Sequence, residues 1–159
     1  MFKNKKIIVI SWIAVLLWMG LIFYLSAQPA TQSREVSEGV TEIFMQTVER
    51  VAPDVAAELD IRMLNYLIRK NAHFFAYLTL GVLVLNGMRR SGVSGIRGIV
   101  IAFFICVLYA ISDEVHQLYV PGRSGELRDV LIDSAGAMVG IGLYLGLGKI
   151  KKKVMISRV

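Results

Sequence analysis

The sequence has a single cysteine, Cys106, so an intramolecular disulfide is excluded. It also has no internal repeat and no low-complexity tract, which argues against a repeat architecture or a compositionally biased linker. Its longest apolar stretches lack the charged face that a helix of a soluble protein carries opposite its buried stripe. These absences exclude an ordinary soluble domain and a disulfide-stabilised one.

Four apolar stretches dominate the 159 residues, of which 55% are hydrophobic, and the mean hydropathy is +0.59. They cover residues 7–25, 72–88, 99–118 and 130–147. Each is close to the roughly 17–25 residues that a transmembrane helix needs. The first exceeds the roughly 7–15-residue apolar core of a signal peptide, so we expect a retained anchor. The sequence therefore predicts an all-α integral membrane protein with four transmembrane helices, in a single domain over residues 1–159.

Acidic residues are absent from the N-terminal tail, from the loop after the second span and from the C-terminal tail. These three segments hold eleven of the eighteen basic residues: Lys3, Lys5, Lys6, Arg89, Arg90, Arg97, Lys149, Lys151, Lys152, Lys153 and Arg158. Short loops rich in Lys and Arg stay in the cytoplasm. The charge distribution therefore predicts that both termini are cytoplasmic. We interpret the basic C-terminal tail as attracted to anionic lipid, with no nucleic-acid partner.

The long segment between the first two spans, residues 26–70, has a helical pattern of its own. Apolar residues recur there at helical spacing, at Val36, Val40, Ile43, Phe44, Val48 and Val51. Pro53 interrupts this pattern and suits the first turn of another short helix, which we expect to run through Leu59. The sequence predicts an extracytoplasmic amphipathic helical segment that packs on the outer ends of the spans as a cap or lid. The alternative is a solvated linker.

Two glycine motifs predict local geometry. Gly136 and Gly140, and then Gly142 and Gly146, are four residues apart in the fourth span, which favours close helix packing. In the loop before that span, a Pro–Gly pair at residues 121–122 predicts a type II turn.

Polar residues gather where three spans meet the predicted outer surface. The third span ends in YAISDEVHQ, the second begins with RKNAHFFAY, and the fourth begins with PGRSGELRDVLID. Residues three or four apart, such as Asp129 and Asp133, share one face of a helix. We therefore predict one outer site that ligands would contact, with twelve candidate residues: Arg69, Lys70, His73, Tyr77, Asp113, Glu114, His116, Gln117, Arg123, Arg128, Asp129 and Asp133.

Two interpretations of this cluster remain open at the level of sequence. In the first, its basic and acidic side chains neutralise one another and fix the outer layer of the bundle. In the second it is a functional site, where Arg123 and Arg128 would bind a phosphate or carboxylate in a bidentate manner. Histidines and carboxylates could also exchange protons or hold a divalent cation, the one cofactor that the sequence suggests. The candidate catalytic residues are His73, Glu114 and His116, and the candidate metal ligands are these three and Asp133.

Three blocks of sequence carry a resemblance to a known family. FYLSAQ, RKNAHFFAYLTLG and YAISDEVHQLYVPGRSGELRDVLIDSAGAMVG, in that order, resemble the VanZ-like family of small bacterial membrane proteins. The third block is specific, because it combines DExHQ, PGR and DxxxDxxG. The family's namesake is associated with low-level resistance to teicoplanin, a lipid-bearing glycopeptide antibiotic. The resemblance implies a multi-pass protein of the bacterial cell membrane, and it carries over all twelve candidate residues except Arg128.

The favoured function is binding of an amphiphile by the outer polar site. Expected partners are membrane lipid and a lipid-linked cell-wall intermediate or lipoglycopeptide. The alternative is a membrane-embedded, metal-dependent hydrolase or transferase that acts on a lipid-linked substrate. Transport ranks last, because the acidic residues lie at one end of the spans only.

Overall fold

The computed structural model describes residues 5–156, with side chains through residue 150. This part contains six α-helices and no strand: α1 (Lys5–Ser26), α2 (Ala30–Val51), α3 (Pro53–Glu58), α4 (Ile61–Arg90), α5 (Gly95–Gln117) and α6 (Leu127–Ile156). The predicted all-α fold class is confirmed. Lys3 and Arg158, and the side chains of Lys151, Lys152 and Lys153, which contribute to the predicted orientation, lie outside the described residues.

Four helices are long and apolar enough to cross a membrane: α1, α4, α5 and the first part of α6, Leu127–Ile150. Large apolar side chains cover their outward faces. Leu17 is 70% exposed, Leu108 is 64% exposed and Leu143 is 51% exposed. Apolar patches of this extent favour contact with lipid over contact with water. The four predicted spans lie within these helices, except that the third was predicted to end one residue beyond α5, at Leu118. The chain is a multi-pass membrane protein.

Helix α4 lies at the centre of the bundle and contacts α1, α2, α5 and α6. Helices α1 and α5 end, and α4 and α6 begin, at the same end of the bundle, which we call the polar end. At the opposite end, the Trp12 indole near the start of α1 donates a hydrogen bond of 3.0 Å to Ser91 Oγ, which follows α4. The buried core between the ends includes Leu80, Val84 and the lone Cys106. The cytoplasmic location of the termini stays a prediction.

Glycine allows α4 and α6 to approach until their backbones touch. A Cβ atom on Gly136 would overlap the carbonyl oxygen of Phe74, and one on Gly140 would overlap that of Leu78. The predicted close packing is confirmed for this pair. For Gly142 and Gly146, no described atom beyond the adjacent residues and the backbone of α6 itself lies within 4 Å of such a Cβ, so the second pair has no packing role among the described residues.

Helix α4 begins at Ile61, well before the predicted span that starts at residue 72. Its first turn is capped by Asp60, whose carboxylate accepts a hydrogen bond of 2.9 Å from the Arg62 amide. Helix α2 packs against this extension, and the Thr41 hydroxyl donates a hydrogen bond to Asn65 Oδ1. The segment between the first two spans is therefore helical, as predicted, and α2 is packed on the bundle.

The cap at Asp60 gives a stability prediction. Asp60→Ala should lower the free energy of unfolding by about 0.5–2 kcal/mol, because the Arg62 amide loses its acceptor. Asp60→Asn keeps an accepting oxygen and should stay close to the unsubstituted protein. Thermal unfolding of the detergent-solubilised protein measures both. An equal loss in the two variants would mean that the carboxylate acts through its charge, for instance on the Arg62 side chain 4.0 Å away.

The loop between α5 and α6 contains the predicted type II turn. The Arg123 amide donates to the Val120 carbonyl at 3.1 Å, and Gly122 has a φ of +74°, which glycine adopts without strain. A hydrogen bond of 3.2 Å from the Ala30 amide to the Pro121 carbonyl attaches this turn to the start of α2. The turn therefore holds Arg123 at the polar end.

Candidate functional site

Three helices bring a histidine and two aspartates together at the polar end. His73 of α4, Asp113 of α5 and Asp133 of α6 each offer a ligand atom, and these atoms lie within 4.8 Å of one another. His73 Nδ1 is 3.7 Å from Asp133 Oδ2. Asp113 is 2% exposed and Asp133 is fully buried. We call these three residues the buried triad.

The carboxylates of the buried triad have little hydrogen bonding. Within the described part of the chain, neither oxygen of Asp113 or Asp133 has a hydrogen-bond partner. Ser26 and Gln117 lie beside Asp113, but without hydrogen-bond geometry. The 3.7 Å from His73 to Asp133 is also longer than a hydrogen bond. Burial of an ionised carboxylate without a hydrogen-bond partner is costly. These oxygens are therefore suited to bind a cation or a hydrogen-bond donor.

A cavity of about 190 Å³ lies beside His73, and we call it the arginine pocket. It is bordered by α2, by the N-terminal part of α4 and by the α5–α6 loop. Four basic and two acidic side chains are among those that line it: Arg34, Arg69, Lys70, Arg123, Glu126 and Asp129.

Both acidic groups of the arginine pocket are engaged by one lysine. The Lys70 ammonium group pairs with Asp129, which is mostly buried, and lies 3.7 Å from Glu126 Oε2. Lys70 therefore balances one of the two negative charges on the acidic wall of the pocket, and it stabilises the contact between α4 and the start of α6.

The three arginines have no such partners. None of the ion pairs among the described residues includes Arg34, Arg69 or Arg123. Burial, together with the positive charge of Arg69, lowers the pKa of the Arg123 guanidinium. Guanidinium groups in this setting favour an anion, which they can bind through two parallel hydrogen bonds.

An apolar groove of about 220 Å³ adjoins the arginine pocket, between α1, α2 and α4. Most of its walls are apolar, and they include Ile22, Leu25, Val36, Val40, Ile68, Ala72 and Ala76. Arg69, His73 and Arg123 line both cavities. A cationic cavity and an apolar one therefore meet at three shared side chains.

Two residues that were predicted to be metal ligands or catalytic groups, Glu114 and His116, do not belong to the buried triad. Glu114 holds the α5–α6 loop, because its Oε2 accepts a hydrogen bond of 2.9 Å from the Glu126 amide. The His116 ring packs on Phe23, with ring centroids 4.2 Å apart. Of the four candidate metal ligands, the structure brings only His73 and Asp133 together, and the third ligand is Asp113.

The two arginines that were predicted to bind an anion, Arg123 and Arg128, lie in different surroundings. Arg123 lines the arginine pocket and donates through Nε to the Gln28 carbonyl at 3.0 Å. Arg128 instead lies with its guanidinium carbon 5.9 Å from the centre of the Tyr66 ring. Tyr77 is fully buried, and its hydroxyl has no hydrogen-bond partner among the described residues.

Sequence reasoning missed Ser26 and Arg34. Ser26 belongs to the FYLSAQ block, and that motif was a signal for it. Arg34 lies in α2, outside every motif block, and only the packing of α2 on α4 brings it to the pocket.

Four spans, with a cationic pocket and an apolar groove at one end, define a multi-pass membrane protein with a polar site among its helix ends. The sequence model of the VanZ/LLP1 family matches residues 11–150, which is most of the chain. The chain belongs to this family, as the resemblance predicted. No curated protein and no solved structure matches the chain.

Proposed function

We propose that the protein binds an anionic amphiphile, a lipid phosphate such as a lipid-linked cell-wall intermediate. The phosphate would bind in the arginine pocket and the apolar chain would lie in the groove. The observation that supports this proposal most is the junction of the two cavities at Arg69, His73 and Arg123. A ligand that fills both cavities must carry an anionic group next to an apolar chain.

The charges of the pocket support a phosphate as the anionic group. The guanidinium groups of Arg69 and Arg123 repel each other, and a phosphate between them would remove that repulsion. Phosphate also offers the oxygen geometry that guanidinium groups bind in a bidentate manner. Lys70 forms an ion pair with Asp129, so we assign it a structural role in the pocket wall and not a role in phosphate binding.

The groove supports an apolar chain as the second part of the ligand. Val36 and Val40 of α2 form one wall, and Ala72 of α4 is part of another. Helix α2 would therefore cover the apolar chain of the ligand at the polar end. A lipoglycopeptide such as teicoplanin could place its lipid tail in the same groove, which would connect this site to the resistance associated with the family's namesake.

The proposal is tested by the binding of a polyprenyl phosphate and of the uncharged polyprenol of equal chain length to the purified protein. A charge-assisted hydrogen bond contributes about 1.5–3 kcal/mol. We therefore expect the phosphate to bind at least about tenfold more tightly than the alcohol. Equal affinities for the two lipids would contradict a role for the arginine pocket.

A substitution in the groove tests the position of the ligand's apolar chain. Ala72→Trp should fill the groove and weaken binding of the polyprenyl phosphate, because its side chain would occupy the space of the apolar tail. Binding of inorganic phosphate should not change. Leu143→Trp, on the outward face of α6, is the matched control and should leave both affinities unchanged. Unchanged affinity of Ala72→Trp for the polyprenyl phosphate would mean that the apolar chain of the ligand lies outside the groove.

A further inference from the structure

The geometry points to a divalent-cation site in the buried triad, formed by a ring nitrogen of His73 and one carboxylate oxygen each from Asp113 and Asp133. This inference goes beyond amphiphile binding and does not depend on it. The cation can be tested alone, without any lipid.

The positions of the ligand atoms fit one ion. Nitrogen and oxygen ligands lie about 2.0–2.2 Å from zinc, so two ligands on opposite sides are at most about 4.4 Å apart. The ligand atoms of the triad already lie within 4.8 Å of one another, so small side-chain rotations would bring all three to an ion. One imidazole with two carboxylates suits zinc, manganese or iron, which accept mixed nitrogen and oxygen ligands.

The burial of the triad supports a cation independently of the spacing. Asp113 and Asp133 are 2% and 0% exposed, and in the part of the chain that the structure describes their four oxygens have no hydrogen-bond partner. His73 is the one basic side chain within the triad. A divalent cation would balance the two carboxylates and would coordinate oxygens that otherwise lose their hydration.

The neighbouring lysine and arginines form no ion pair with the two aspartates of the triad. Lys70 pairs with Asp129, and Arg69 and Arg123 have no ion pair with any described carboxylate. The Tyr77 hydroxyl is buried close to both aspartates. A hydroxyl in this position can donate to a ligating carboxylate and orient it, a common feature of metal sites.

His73 also lines the arginine pocket, so a cation bound to it would lie at the border of that cavity. An anion in the pocket could then contact the cation as well as the arginines. This last step rests on the proposed function, whereas the cation site itself does not.

The experiment is a titration of the full-length, chelator-treated protein in detergent with Zn²⁺ and Mn²⁺, followed by calorimetry and by thermal unfolding. We expect one cation per chain and an increase in the unfolding temperature, because the cation binds the folded state. Loss of even an orienting partner of a metal ligand weakens binding by roughly 10–100-fold. Asp113→Asn and Asp133→Asn should therefore each weaken binding by more than roughly tenfold.

The control separates the triad from other acidic side chains. Glu42→Gln, on the exposed side of α2, leaves the triad intact and should bind the cation like the unsubstituted protein. Without metal, Asp113→Asn and Asp133→Asn should unfold at a temperature no lower than the unsubstituted protein, because each removes an uncompensated buried carboxylate.

Two results would overturn the inference. One is an unsubstituted protein that neither binds these cations nor gains thermal stability from them. The other is retention of binding in both asparagine variants. A structural His73–Asp133 ion pair without metal would instead give Asp133→Asn a lower unfolding temperature and no cation effect. Should one variant fail to fold, the other variant and the stoichiometry of the unsubstituted protein still decide.

Discussion

Simultaneous replacement of Arg69 and Arg123 by glutamine is expected to weaken polyprenyl phosphate binding by more than about a hundredfold. Each guanidinium can form charge-assisted hydrogen bonds of about 1.5–3 kcal/mol, and each 1.4 kcal/mol corresponds to a factor of ten in affinity. These two arginines line both the arginine pocket and the groove, so they would contact the phosphate where the apolar chain begins. The measurement is lipid affinity of the purified protein at fixed ionic strength.

Two single substitutions serve as matched controls for the loss of positive charge. Arg50→Gln lies on the exposed side of α2, and Arg128→Gln lies beside Tyr66. Both should retain the affinity within about twofold, because exposed charges are screened by salt. Affinity for the uncharged polyprenol should be the same in all variants. If Arg50→Gln or Arg128→Gln weakens binding as much as the double substitution, net charge and not the pocket recognises the lipid.

Gly140→Leu is expected to prevent stable folding of the bundle or to lower its free energy of unfolding by about 3 kcal/mol or more. Overpacking of a core typically costs about 1–3 kcal/mol, even where side chains can adjust. Here the first added carbon would meet the backbone carbonyl of Leu78, which cannot move without displacing α4 from α6. Thermal or denaturant-induced unfolding in detergent measures the change.

Gly142→Leu, two residues further along α6, is the control. It adds the same side chain where no described atom beyond the adjacent residues and the backbone of α6 itself lies within 4 Å of a new Cβ, and leucine favours a helix more than glycine does. Its stability should equal or exceed that of the unsubstituted protein. Equal destabilisation by the two substitutions would contradict the assignment of the close α4–α6 contact to Gly140.

Hydropathy was sufficient to predict the membrane spans, because the solvent that surrounds a span imposes an apolar composition along the whole segment. It was not sufficient to predict that α4 begins at Ile61, since polar and charged residues interrupt the apolar ones in its first turns. Those turns are stabilised by the Asp60 cap and by packing against α2. The composition of a segment does not reveal such contacts.

The candidate site was predicted in outline. The alternating direction of the spans predicted that His73, Asp113 and Asp133 lie at the same end of the bundle, where the structure brings them together. Helical spacing showed which residues share a face of one helix. It could not show which neighbouring helix each side chain meets. His116 turns toward Phe23 of α1, and Glu114 turns toward the α5–α6 loop. Those directions depend on the rotation of each helix about its own axis, which tertiary packing determines.

The structural and functional interpretations of the polar end apply to different residues. A network of Lys70, Asp129, Glu126 and Glu114 holds α4, α5, the α5–α6 loop and the start of α6 together. Arg69 and Arg123 and the two aspartates of the buried triad take no part in it. Removal of one partner from the network should affect stability, whereas removal of these arginines or aspartates should affect ligand binding.

Photocrosslinking with a polyprenyl phosphate that carries a photoreactive group in its chain tests the central claim most directly. Peptide mass spectrometry would locate the labelled residues. The account predicts that label concentrates on Leu25, Val36 and Ala72 in the groove, and that inorganic phosphate at high concentration reduces it. Label confined to outward-facing residues such as Leu17 and Leu143, and unaffected by phosphate, would contradict it.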